Sequence, residues 1–379
     1  MRIFQNFQFD FLSRRKYAYL LSSILFLIGL ISAITRGFHF GVDFNGGSEI
    51  VLQFEKPIQI SDVREYVADI GLGFVEVKTF GDETGVMFRT ELQAIPPQLY
   101  PRVIEGLESE IEKIIPAAPR QIVDSSANSV TYSFANPDTT NKIVDALVEA
   151  GYQASKVSEE PTNNQIIVSV GIADWIKENL RTKISDNTFI VLKEDRVGPK
   201  IGGELKRDAV LALFFALVAI LFYLGFRFKF IFAIGAVAAL FHDVLITLGL
   251  YAALYGVIPG LNLEIDLTIV AAFLTLIGYS VNDTVVVFDR IRENLKLHKT
   301  RPLFDIINSS MSQTMSRTIL TGGATLLTLL VLLIFGGEVL RSFAFTMFFG
   351  IIIGTYSSIF VASSYVYEYA NKFSKKVEF

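Results

Sequence analysis

Two kinds of pattern share the chain. Six stretches, at about 17–34, 209–226, 230–250, 267–288, 318–335 and 343–366, are nearly unbroken apolar runs. A run of about 20 such residues can cross a bilayer as a helix, so each predicts a membrane span. Between the first and second runs the apolar positions instead alternate with polar ones or recur at helical spacing. That segment is about 170 residues long, enough for a folded domain.

The mixed segment repeats itself. Ile50, Leu52, Phe54 and Pro57 fall on Val130, Tyr132, Phe134 and Pro137. Val63, Val67 and Gly71 fall on Ile143, Leu147 and Gly151, and Val86 and Phe88 fall on Ile166 and Val168. Each copy reads as an alternating strand, a helix closed by glycine, two more strands and a second helix (about 97–115 and about 173–184). A last strand, Thr188–Leu192, leads back to the spans. Such units predict a two-layer α+β sandwich of ferredoxin-like type, duplicated. The expected division is 1–36 for the amino terminus and first span, 37–207 for the α+β domain, and 208–379 for spans two to six. The two modules are expected at about 48–115 and 128–195.

Basic residues orient the spans. Arg14, Arg15 and Lys16 precede the first. Arg227 and Lys229 separate the second from the third, and Arg290, Arg292, Lys296, Lys299 and Arg301 the fourth from the fifth. Lys372, Lys375 and Lys376 follow the sixth. The intervening loops 251–266 and 336–342 hold only Arg341. Both termini are therefore expected in the cytoplasm and the large domain outside. The first span lacks a clear small-residue cleavage site, so it reads as a retained anchor.

Overall composition adds exclusions. The chain has 379 residues, 51% of them hydrophobic, and no cysteine, and its mean hydropathy is +0.45. The net charge of −4 carries little, because opposite charges face different compartments. Disulfides and thiolate metal sites are excluded. The histidines His39, His242 and His298 show no ligand spacing, and no nucleophile–base set is visible. No enzyme activity, cofactor, metal or nucleic-acid partner is predicted.

Candidate chemistry lies in the spans. Asp283 sits inside the fourth run, and Arg317 directly precedes the fifth. An ionisable group in a span is costly and marks an ion or proton pathway, or else an ion pair that fixes helix packing. Asp283 is the expected protonation site and Arg317 its fixed positive charge, since guanidinium does not titrate. His242–Asp243, about 13 residues or roughly 20 Å into the third run, is a second candidate. Ser280, Asn282 and Thr321 are supporting polar groups. Thr314, Thr318, Thr321, Thr325 and Thr328 form a stripe along one helix face, read as packing. Gly41, Asp43, Gly46 and Gly47 (in FGVDFNGG) and Gly198 and Pro199 (in VGPKIGGEL) predict tight turns where domain and membrane meet. Residues 301–317 read as an amphipathic helix lying on the membrane surface.

These motifs, with FHDV at 241–244, the run from Ile265 to Asn294 containing GYSVND and DRIREN, QTMSRTIL at 313–320 and FGG at 335–337, resemble the SecF family. Its members are the smaller subunits of SecD–SecF protein-export pairs, within the resistance–nodulation–division superfamily. The resemblance implies a bacterial inner-membrane protein that works with SecD beside the SecY/SecE/SecG channel. It would use the proton-motive force to promote export of unfolded polypeptide. The family's intramembrane aspartate maps to Asp283 and its arginine to Arg317. The coupling ion is expected to be the proton, with sodium as the alternative. The outer segment is longer than the family pattern leads one to expect, and the duplicated module accounts for the excess. A small-molecule or lipid exporter of the same superfamily and a passive channel scaffold remain open alternatives.

Overall fold

The computed structural model describes residues 9–126, 128–149, 152–158, 160, 162–258 and 261–372. Gly151, Lys375 and Lys376 lie outside them. The chain forms two compact units. One runs up to Gly41 and resumes at Glu204; the other is the inserted domain Val42–Gly203. Helix α1 (Arg15–Thr35) opens the first unit.

The inserted domain starts with a single helical turn, α2 (Val42–Asn45), followed by β1 (Gly47–Phe54), α3 (Ile60–Ala68), β2 (Glu76–Thr79) and β3 (Gly85–Thr90). Next come α4 (Tyr100–Ile114), β4 (Arg120–Ser126), β5 (Ser129–Phe134), α5 (Pro137–Glu149), β6 (Gln153–Lys156) and β7 (Gln165–Ser169). Helix α6 (Ile172–Lys183) and β8 (Phe189–Val197) complete it. Two antiparallel four-stranded sheets form, β2-β3-β1-β8 and β4-β5-β7-β6. The inward positions of β1, Ile50, Leu52 and Phe54, and those of β5, Val130, Tyr132 and Phe134, share one core. They are the residues that the repeat superposes.

The repeat predicts two consecutive modules, but the strands are exchanged between them. Strand β4, which the sequence pattern did not reveal, follows the first copy yet pairs with β5 of the second, Ser126 facing Ser129. Strand β8 returns to pair with β1, Gly47 facing Val197. Helix α6 packs on α3 and β1, and α4 on α5; Trp175 of α6 donates its indole N–H to the Ile70 carbonyl (3.0 Å). Loop closure explains the exchange. Strands β4 and β5 are adjacent in sequence, so pairing them costs far less chain entropy than a return of β4 to β1. The vacant edge of β1 is then filled by β8.

Gly46 and Gly47 have φ of +75° and +119°, values that side chains rarely adopt. A Cβ on Gly46 would lie 2.8 Å from the Pro199 Cα, and one on Gly47 would collide with the Thr90 carbonyl. Gly46 therefore lies directly against Pro199, and Gly47 against Thr90. Gly198 accepts from the Gly202 N–H (2.8 Å) as the next helix begins. Asp43 lies in α2. Gly41 belongs to the membrane unit, where its N–H bonds the Ile265 carbonyl (2.9 Å). Gly47→Ala is expected to destabilise the inserted domain by about 1–3 kcal/mol, read as faster proteolysis within residues 42–203 of the full chain. On β1, Glu49 accepts from Arg89 (Nε 3.0 Å) and Lys193 (Nζ 3.0 Å). Burial alone would pull the Lys193 ammonium down, but the Glu49 and Asp195 carboxylates hold it above the ordinary lysine value.

The membrane unit continues with α7 (Pro199–Arg227), α8 (Phe230–Leu254), α9 (Leu267–Leu297), α10 (Leu303–Phe335), α11 (Glu338–Ser357) and α12 (Ser363–Lys372). A π-helical turn, Ser358–Ala362, joins the last two. Counting that joined helix once, six helices among the described residues are long and apolar enough to cross a membrane. Helices α8, α9 and α11 are the inner ones. α1, α7 and much of α10 leave large apolar side chains exposed, among them Ile34, Phe226 and Leu327. The segment 301–317 is no separate surface helix. It is the start of α10, and its apolar face is covered by protein: Ile307 and Met311 join a core with Leu12, Phe288 and Ile291. Asn294 of α9 donates to Ser310 (2.8 Å).

Helices α1 and α8 cross where Gly29 meets Gly249; a Cβ on Gly29 would lie 2.7 Å from the Gly249 Cα. Small residues allow such approach in lipid, where packing rather than water exclusion drives association. Gly29→Leu is expected to push α1 off α8 and lower stability by about 1–3 kcal/mol, measured as a fall in the thermal midpoint of the purified protein.

Candidate functional site

Two intramembrane carboxylates are brought together by close helix packing. Ser280 and Asp283 are three residues apart on α9 and share a face. Helix α11 reaches that face because it presents Gly350 and Gly354. A Cβ on Gly350 would collide with Leu276, and one on Gly354 would lie 2.9 Å from Ser280 Oγ and 3.4 Å from Asp243 Oδ2. This small-x-x-x-small spacing permits near contact of the backbones.

Asp243 of α8 is 1% exposed. Its Oδ2 accepts from Ser280 Oγ (2.7 Å) and Ser357 Oγ (2.9 Å), and its Oδ1 lies 3.0 Å from His242 Nδ1. Asp283 is half-buried. Thr318 of α10 donates to its Oδ1 (2.6 Å) and Ser358 to its Oδ2 (2.8 Å). The adjacent Ser357 and Ser358 thus serve different aspartates. Ser358 opens the π turn, where Ser363 Oγ bonds its carbonyl (3.0 Å); such turns recur at functional sites. Hydroxyls both donate and accept. Each carboxyl can therefore keep its neighbours with or without a proton.

Arg317 acts on Asp283 by its charge rather than through a hydrogen bond. It is exposed on α10, and the hydrogen bonds of Asp283 come from Thr318 and Ser358 instead. One residue is 100° of helix: with Thr318 turned inward, Arg317 turns out. Asn282 and Thr321 are likewise exposed, and Thr321 bonds the Arg317 carbonyl (2.9 Å). Thr314, Thr325 and Thr328 also bond carbonyls of their own helix. Ser280 and His242 do join the cluster. Among the described residues, no group of three or more His, Cys, Asp or Glu is placed to hold a metal ion.

Sequence reasoning singled out neither Ser357 and Ser358 nor Gly350 and Gly354, and it read Thr318 only as part of a packing stripe. The signal was present: GIIIGTYSS in the sixth run joins a small-x-x-x-small spacing to four hydroxyl residues in an otherwise apolar helix.

Six long apolar helices among the described residues, with an α+β domain inserted after the first and carboxylates on the third and fourth, define a multi-pass membrane protein. The family described as "Protein export membrane protein SecD/SecF, C-terminal" matches residues 176–372. The "SecD/SecF GG Motif" matches residues 31–58, which include Gly46 and Gly47. Relatives called "Protein translocase subunit SecF" include one from Rhodothermus marinus, 38% identical over 97% of this chain and 95% of its own length. Another, from Koribacter versatilis, is 36% identical over 97% of this chain and 93% of its own length. This chain belongs to the SecF family of protein translocase subunits and is a multi-pass membrane protein. The match to these relatives runs through the inserted domain, so its length is a shared trait rather than a departure. The crystal structure of SecDF from Thermus thermophilus is similar, with a TM-score of 0.64 and 27% identity; the match covers 97% of this chain and 39% of that one. SecDF in its super-membrane-facing form gives a TM-score of 0.56, at 29% identity over 98% of this chain and 40% of that one.

Proposed function

We propose that this chain works with a SecD partner in the bacterial cytoplasmic membrane and uses the proton-motive force to promote polypeptide translocation through the SecY/SecE/SecG channel. Its termini lie in the cytoplasm and its inserted domain outside. Asp283 carries the proton, with Arg317 as the fixed positive charge that tunes it and Asp243 and His242 as a second site. The observation that carries this reading is the setting of Asp283 and Asp243: two intramembrane carboxylates held by hydroxyls that suit either protonation state. A proton crossing a potential of about 100 mV releases about 2.3 kcal/mol, which matches a typical coupling energy between sites, about 1–3 kcal/mol.

Vesicles containing this chain, SecD and the channel test it. Translocation of a secreted precursor is expected to speed up under an imposed proton gradient. An equal stimulation with no gradient would leave a passive scaffold, and stimulation by a sodium gradient alone would replace the proton by sodium.

A further inference from the structure

The carboxylate sites account for Asp243 but leave a second chain of hydrogen bonds unused. From His242 it runs outward to α1. His242 Nε2 lies 2.9 Å from Ser22 Oγ, Ser22 Oγ lies 3.0 Å from the Tyr356 hydroxyl, and that hydroxyl donates to the Ala18 carbonyl (2.5 Å). The chain ends on a carbonyl, which only accepts. That fixes the direction of every bond before it. Tyr356 has one hydrogen and gives it to Ala18, so Ser22 must donate to Tyr356. Ser22 has then spent its own hydrogen, so His242 must donate from Nε2. One further proton lies between Nδ1 and Asp243 Oδ1. The hydroxyl chain is complete only when the His242–Asp243 pair is protonated.

Loss of that proton reverses the chain. One hydrogen then remains for two ring nitrogens. It must sit on Nδ1, because a bare nitrogen lone pair 3.0 Å from a carboxylate is repulsive. The proton that departs to water is therefore the one at Nε2. Ser22 must turn to donate to Nε2, and the 3.0 Å contact with Tyr356 then lacks a hydrogen. Only Tyr356 can supply one, by releasing Ala18. From the elements packed on α8, the pair also meets Ser280 of α9 and Ser357 of α11. The π turn directs Ser358 to Asp283, and Arg15, at the start of α1, pairs with Glu368 of α12 (2.6 Å).

We propose that Ser22 and Tyr356 are positioning residues that convert the protonation state of the His242–Asp243 pair into a tighter or looser hold on α1, the span that leads into the inserted domain: three hydrogen bonds hold it in the protonated state and two after the Ala18 carbonyl is released. This rests on the proton-driven reading above, and it concerns the second site rather than Asp283.

The chain has no native cysteine, so spin labels can be attached at Tyr17→Cys and Asn371→Cys in the full chain, reconstituted with SecD. The expected result is a distance distribution between α1 and α12 that shifts as pH rises from acid to alkaline. Tyr356→Phe and Ser22→Ala should each abolish the shift, Ser22→Thr should retain it, and Asp283→Asn should leave it in place. A shift that persists in either Tyr356→Phe or Ser22→Ala, or is missing from the unsubstituted chain, overturns the relay. Export measured alongside separates the two ideas. If Asp283→Asn exports normally while the shift still depends on Ser22 and Tyr356, the proton-driven reading fails and the relay stands. If Asp283→Asn stops export while Tyr356→Phe keeps the shift, the reverse holds.

Discussion

Asp283→Asn is expected to remove the gradient-dependent part of precursor translocation entirely, while the protein accumulates in the membrane at its normal level. Asparagine has the size of aspartate. Its carbonyl can accept from Thr318 and its amide can donate to Ser358, whose hydroxyl turns to receive it. The cost in stability should therefore stay within about 1 kcal/mol. What disappears is the ability to bind and release a proton. Translocation in vesicles with and without a proton gradient provides the measurement, with protein level as control. Unaltered stimulation by the gradient would sink the role of Asp283. Arg317→Lys tests a separate point. Arg317 is exposed on α10, so Lys should fold normally. A loss of function there would show that the guanidinium, and not positive charge alone, is needed near Asp283.

Asp243→Leu should act in a different way, by breaking the structure. The carboxylate receives Ser280, Ser357 and His242 at a position with 1% exposure. Leucine leaves those donors aimed at carbon, and a buried unsatisfied polar group costs about 1–3 kcal/mol. The helix junction of α8, α9 and α11 is expected to weaken by about 2–5 kcal/mol, seen as a large drop in thermal midpoint and in membrane level. Asp243→Asn should recover most of that stability and still fail to restore normal translocation. A leucine variant as stable as the parent would show that these hydroxyls find other partners, and that Asp243 does not organise the junction.

Strong periodicity made most of the architecture readable in advance. The spans announced themselves through run length, and β1 and β5 through alternation. Strand β4 stayed hidden because Arg120–Ser126 is exposed along nearly all its length: an edge strand with no buried face leaves no alternation to read. The strand exchange was illegible for another reason. A repeat shows which segments are equivalent but not which copy completes which sheet, and here the adjacency of β4 and β5 in sequence decides it. Within the site, charge drew attention to Asp283 and Arg317, yet the partners of Asp283 proved to be hydroxyls. Serine and threonine are ordinary in membrane helices and do not stand out. The outward turn of Arg317 could be anticipated only by choosing Thr318 over it as the inward residue.

The pairing of β1 with β8 has a mechanical consequence. Gly47 and Val197 face each other as the first of eight residue pairs, at the points where the chain enters and leaves the two strands. Pulling these ends apart loads the pairs in series and opens them one after another, as a zipper opens. Pulling both in the same direction leaves the ladder unloaded. The inserted domain can thus be hauled as one body by its two tethers, and it yields only when the tethers are drawn apart.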